Sequence, residues 1–218
     1  TTPMSPYRAI RSLARLMVVR SSNLATNLLL ERVPAADVMA TMERIGAPDM
    51  VVRRGVEDGP AFRRGLNNTT TAEALATVLE SIGRGTIASR ATCDAMLEIL
   101  SAQEFRDVIP AGLPAGTRVA HKTGWITGIE HDGAIVLPAD RPPYVLVILM
   151  RGVEDRAEAA RLGAELSRMA WEALVPGPFA ALGGIDSPWL RSVLQLQLRH
   201  RVDAIARRAG VPVRIRSL

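Results

Sequence analysis

One lysine stands among the chain's 27 basic residues: Lys122, in the run Val119-Ala-His-Lys-Thr-Gly-Trp125. Every other strong cation is arginine, so the retained lysine points to chemistry that arginine does not supply. Lysine presents a compact ammonium with rotatable donors and a pKa that burial lowers, whereas arginine stays charged and forked. A site that must hold a carboxylate and also pass or orient a proton needs the former. A solvated surface cation kept by chance is the alternative. No second lysine is present to complete another lysine-dependent motif.

The elements that must position Lys122 follow from periodicity. Residues 5–19 place Ile10, Leu13, Leu16 and Met17 at helical spacing, and further helices are predicted over 24–33 and 36–45. Residues 46–71 read as a long polar connection, which inside a compact domain is usually functional or disordered. Thr70 or Thr71 is the expected N-cap of a helix running to Ile82, and another helix spans 89–100. After the turn cluster 110–116 come three predicted strands: 117–122, 133–137 and the continuous apolar run 144–150. An amphipathic helix over 157–174 closes this part. Helices, then an antiparallel meander, then a covering helix make an α+β layout rather than a βαβ repeat.

The 218 residues suit one domain of ordinary size, and 48% hydrophobic with 22% charged residues is a globular balance. Cys93 is the single cysteine, so no internal disulfide forms, and it reads as a small buried hydrophobe. No apolar run has the length of a membrane span, and residues 1–6 lack a signal-peptide pattern. The net charge of +5 is unevenly placed. Residues 181–218 hold seven arginines against two aspartates, which leaves a neutral body over 1–180. Nucleic acid is therefore not the expected partner of the body; a basic tail is a separate feature.

Several segments together carry a resemblance. Leu13-Ala-Arg-Leu-Met-Val-Val-Arg-Ser-Ser-Asn-Leu-Ala-Thr-Asn-Leu-Leu29 resembles the helix, loop and helix around the Ser-Asp-Asn signature of the class A β-lactamases, within the penicillin-recognising serine hydrolases. His121-Lys-Thr-Gly124 resembles that family's Lys-Thr-Gly signature. Asn68-Thr-Thr-Thr-Ala-Glu-Ala-Leu-Ala76 resembles the segment closing its omega loop, and Ile109-Pro-Ala-Gly-Leu-Pro114 also fits. The four matches stand in the family's order. The resemblance implies a β-lactamase/transpeptidase-like fold, incomplete at its N-terminal side, with the domain over 1–180.

By this resemblance Ser21 lends its hydroxyl to a proton relay toward a leaving nitrogen, and Asn23 bonds the substrate's side-chain amide. Lys122 and Thr123 grip the substrate carboxylate. Gly124 lets substrate backbone approach, and Trp125 walls the site or simply packs. Without Lys122 beside it, Ser21-Ser-Asn23 would read as a helix cap. The sequence also departs from the family. Ser22 replaces the middle aspartate, and the usual omega-loop glutamate motif is absent. Arg53-Arg-Gly-Val-Glu-Asp-Gly59 stands there instead, with Glu57 as nearest candidate for the base that activates deacylating water. Glu57 fits equally as an ion-pair partner of Arg53, Arg54 or Arg64.

The largest departure is the nucleophile. No Ser-x-x-Lys is present, since Val119 lies three residues before Lys122. The resemblance implies that the nucleophile helix and two sheet strands belong to an N-terminal part not found here, because of truncation, a second chain, or loss of activity. The tail predicts a basic helix over 189–208 and a strand over 211–218, positioned to cover the sheet edge that 144–150 would expose, or to extend loosely into solvent. The expected activity is a serine hydrolase acting on a carboxylate-bearing lactam or amide through an acyl-enzyme, with no cofactor and no metal. The alternatives are a catalytically inactive module binding β-lactam or peptidoglycan-like carboxylates, and an interaction protein with a basic tail. An exported or periplasmic location is implied by the resemblance alone.

Overall fold

The computed structural model describes residues 6–174 and 213–217. Three helices come first: α1 (Pro6–Val19), α2 (Asn23–Arg32) and α3 (Ala35–Arg44). A short α4 (Gly59–Arg63) lies inside the expected loop, opened by Asp58, whose carboxylate accepts from Ala61 N–H. Next are α5 (Ala72–Gly83), capped by Thr71, one of the two expected residues, and α6 (Arg90–Ser101), capped by Ser89, which the expected span 89–100 counts inside the helix. A 3₁₀ turn (Pro110–Gly112) leads into β1 (Arg118–Ile126), β2 (Ile129–Leu137) and β3 (Tyr144–Arg151). Then follow α7 (Arg156–Ala173), capped by Asp155, and β4 (Val213–Ser217). The α+β layout is the expected one.

The strands form one antiparallel sheet in the order β1-β2-β3-β4. β3 is buried on both faces, which is why it reads as an unbroken apolar run. On one face Val119, Val136, Leu146 and Ile148 pack with Val108, Ile109 and α7 residues Leu166 and Ala170. On the other, Ala120, Ile135, Val145 and Val147 pack with Ala76, Leu79 and Ile82 of α5 and Leu100 of α6. Each of the larger side chains contributes about 1.5–3 kcal/mol by leaving water. Gly133 allows α5 to press close, since a Cβ there would stand 3.0 Å from Leu75 Cδ2.

The structure corrects two strand boundaries. β1 runs on to Ile126 and β2 begins at Ile129, joined by a two-residue turn with Gly128 at φ 70°. The extra residues include Thr123, Glu130, His131 and Asp132, polar side chains that hide a strand from hydrophobic patterning. Register pairs Lys122 with Gly133, Thr123 with Asp132, Gly124 with His131 and Trp125 with Glu130. At the far edge, β4 pairs antiparallel with Tyr144–Ile148 of β3. The predicted tail helix and the domain boundary at 180 lie outside the described residues.

Candidate active site

The site begins where α1 ends. Ser22 N–H reaches back to the Leu16 carbonyl at 3.2 Å, the long closing bond of a Schellman turn. The residue that must turn left-handed there is usually glycine; here it is Ser21, at φ 51°. A side chain in this conformation costs about 1–3 kcal/mol and persists only when its surroundings hold it. The turn aims the hydroxyl at β1: Lys122 Nζ donates to Ser21 Oγ at 2.5 Å, across 101 positions of sequence. Lys122 also donates to the Thr123 carbonyl. Ser22, not Ser21 or Asn23, caps α2, accepting from Ala25 N–H. The capping alternative for this triplet thus falls on its middle residue and leaves Ser21 and Asn23 free for other work.

Asn23 opens α2 and donates through Nδ2 to Glu57 Oε1 at 2.8 Å. Glu57 is the other non-glycine residue with positive φ among those described, at 61°. Two asparagines that motif reading did not assign a role hold its loop. Asn27, one helical turn after Asn23, accepts from Val56 N–H at 2.8 Å and donates to the Val56 carbonyl at 3.1 Å. Asn68 accepts from the N–H groups of Arg53 and Arg54 and donates to the Arg54 carbonyl. The Asn-x-x-x-Asn spacing, which puts both amides on one helix face, was the available signal. Glu57 pairs with Asn23 rather than with Arg53, Arg54 or Arg64, the partners the sequence offered.

On β1, alternation sends Lys122 and Gly124 toward α5, α6 and the α1–α2 loop, and His121, Thr123 and Trp125 toward α7. Thr123 is buried on that side. Its hydroxyl therefore does not stand in the cleft beside the ammonium, where it was expected to grip a carboxylate; only its carbonyl meets Lys122. Gly124 faces open space where a Cβ would be. Trp125 packs edge-on against Phe105, the ring centroids 4.8 Å apart. Beneath this stretch Asp132 is fully buried, its carboxylate 3.1 Å from His121 Nδ1 and accepting from Ile109 N–H.

Burial lowers the Lys122 pKa, and the negative charge of Asp132 partly opposes this. An ammonium so placed gives up its proton more readily than a free lysine does. Lysine, serine, amide and carboxylate thus form two hydrogen-bonded pairs, one of which sets a readily deprotonated ammonium against a hydroxyl. Among the described residues no group of three or more His, Cys, Asp or Glu is arranged to hold a metal.

This arrangement has relatives. The fold is that of the β-lactamases and penicillin-recognising proteins. A variant of PBP-A, solved as an acyl-enzyme complex with penicillin-G, superposes with a TM-score of 0.66 at 30% identity, covering 80% of this chain and 65% of that one. A β-lactamase from Sphaerobacter thermophilus gives 0.70 at 27% identity, with 76% and 64% covered. A β-lactamase from Bacillus amyloliquefaciens is 29% identical over 154 residues, 69% of this chain and 50% of that protein. Residues 3–174 match the model of the Beta-lactamase enzyme family, and the chain belongs to that family. It spans about half the length of that curated relative and under two thirds of those solved chains.

Proposed function

We propose that this chain carries the recognition and proton-transfer part of a serine hydrolase that opens a carboxylate-bearing lactam or amide through an acyl-enzyme. The nucleophilic serine comes from a segment not on this chain. It gives its proton to the lysine of its own Ser-x-x-Lys segment as it attacks the substrate carbonyl, and the carbon–nitrogen bond breaks as Ser21 gives its hydroxyl proton to the leaving nitrogen. Lys122 restores that proton, a transfer its lowered pKa favours. Its charge attracts the substrate carboxylate, while Asn23 holds the substrate's side-chain amide. Glu57 then orients and deprotonates the water that releases the acyl group. Such a substrate is met outside the cytoplasm, so we place the working protein there.

The observation that carries this reading is the 2.5 Å bond between Lys122 Nζ and Ser21 Oγ. A second supports the external nucleophile. α1 and α2 leave Tyr7, Ile10, Leu16, Leu24 and Leu28 exposed, and Leu24 lies three residues from Ser21. An apolar segment seated there would reach the relay.

The test is labelled penicillin followed by mass spectrometry, with and without a supplied segment bearing Ser-x-x-Lys. Acylation of that segment in the complex, lost with Lys122→Met, is expected. Reversible protection of this chain without any adduct would favour the second reading, an inactive carboxylate-binding module, which the missing Ser-x-x-Lys motif supports. Neither adduct nor protection would overturn both.

A further inference from the structure

Trp125 ends the part of β1 that carries Lys122 and Gly124, and a mixed assembly holds it in place. Its cross-strand partner is Glu130, 2% exposed. The Arg156 guanidinium, from the first residue of α7, lies 4.1 Å from the Trp125 ring centre. Arg156 Nε donates to Glu130 Oε2 at 3.1 Å, and Nη2 donates to Asp107 Oδ2 at 2.9 Å. On the ring's other contact stands Phe105, from the same connection as Asp107. One guanidinium thus ties together β1, β2, α7 and the segment after α6.

The contributions are unequal. Arg156 and Asp107 are each about half exposed, so their pair is screened and weak. Glu130 is different. A carboxylate taken out of water is costly unless well partnered, and here a single arginine faces one of its oxygens. Only a planar fork can stack on an indole and reach two carboxylates at once, and lysine cannot replace it.

We propose that Arg156 and Glu130 are positioning residues: they fix Trp125, and with it the Gly124 end of β1, in the geometry that ligand recognition at Lys122 needs. The ligand part rests on the function proposed above; the fixing of Trp125 does not. Burial raises the Glu130 pKa, Arg156 opposes this, and the nearby charges of Asp107 and Asp132 raise it further. Acid therefore discharges Glu130 above the ordinary glutamate range and releases Arg156 from it.

The experiment follows the indole N–H signals of the three tryptophans by NMR in the full chain, with Trp125→Phe to assign the one that matters. Arg156→Lys should move the Trp125 signal, leave Trp171 in place, and weaken penicillin-G binding about tenfold, the scale of a small misplacement. Wild type should show an acid transition at Trp125. Glu130→Gln is the neutral counterpart of the protonated carboxyl, so it should show the acid form of the Trp125 signal already at neutral pH and abolish that transition. An unmoved Trp125 signal in Arg156→Lys, or equal shifts at Trp171, overturns the proposal. Unchanged affinity despite a moved signal overturns its ligand part. If wild type fails to bind penicillin-G while the signals behave as stated, the proposed function fails and the positioning of β1 survives.

Discussion

Replacing Ser21 by glycine and by alanine separates backbone strain from hydrogen bonding at one atom. Both changes remove the hydroxyl that accepts from Lys122 at 2.5 Å, a charge-assisted bond worth about 1.5–3 kcal/mol. They differ in the backbone. At an ordinary loop position glycine is the less stable of the two by about 0.5–1 kcal/mol, because it frees the unfolded chain. At φ 51° the order should invert, since alanine keeps a Cβ that the left-handed conformation penalises by about 1–2 kcal/mol. Taking one from the other, Ser21→Gly should exceed Ser21→Ala by up to about 1.5 kcal/mol, at about 2–4 °C in Tm per kcal/mol for a chain of this size. Urea unfolding of the two variants side by side gives the difference directly. Alanine equal to or above glycine would refute the claim that the turn stores strain to aim the hydroxyl.

Three further outcomes are expected. Asn68→Ala removes three bonds to the Arg53–Arg54 backbone, so it should lower stability by about 1–3 kcal/mol and speed amide exchange across 53–58, leaving β3 protected. Gly163→Ala should destabilise by about 1–3 kcal/mol despite alanine's better helix propensity, because the new Cβ would stand 2.5 Å from Val108 Cγ1; thermal melts check it. His131 accepts from Met150 N–H, and burial lowers its pKa while the Glu130 carbonyl opposes this. The unfolded chain therefore takes up a proton below the ordinary value of 6.5 before the folded one does, and this part of the stability falls as pH drops through that value. His131→Asn keeps an acceptor without titrating, so its urea midpoint should fall less between pH 7 and pH 5 than that of wild type.

The helices were legible because their signals are local. Thr70 or Thr71 announces α5, helical spacing over 89–100 announces α6, and the unbroken apolar run from 144 announces a strand buried on both faces. Lys122, Ser21, Asn23 and Glu57 were legible as residues, and the structure brings them together as two pairs: Lys122 with Ser21, and Asn23 with Glu57. What the sequence hid was the turn-proximal end of each hairpin strand, 123–126 of β1 and 129–132 of β2. Glu130 and Asp132 are buried there and His131 partly so, through partners distant in sequence, Arg156, Ile109 and Met150. The side chain of Thr123 was expected in the cleft. Strand alternation decides otherwise, and that becomes readable only once β1 is known to continue past Lys122.

The two halves of the site rest on supports of unequal strength. Lys122 stands on a strand whose neighbours Val119, Ala120 and His121 are all buried. Ser21 and Asn23 stand on helices whose buried apolar contribution is Val19 and Ala25, while Tyr7 and Leu24 are about 70% exposed. Local stability follows such burial, so the serine side should open far below the free energy at which the sheet unfolds. Strain at Ser21 and Glu57 adds to that imbalance, and the amides of Asn27 and Asn68, the exposed pairs Arg11–Glu98 and Arg20–Glu104, and the buried Gln103, which donates to the Val18 carbonyl at 2.6 Å, work against it. A site with one fixed wall and one loosely seated wall gains most from whatever covers α1 and α2. That covering would steady Ser21 opposite Lys122 by ordering the helices, without touching either atom of the relay.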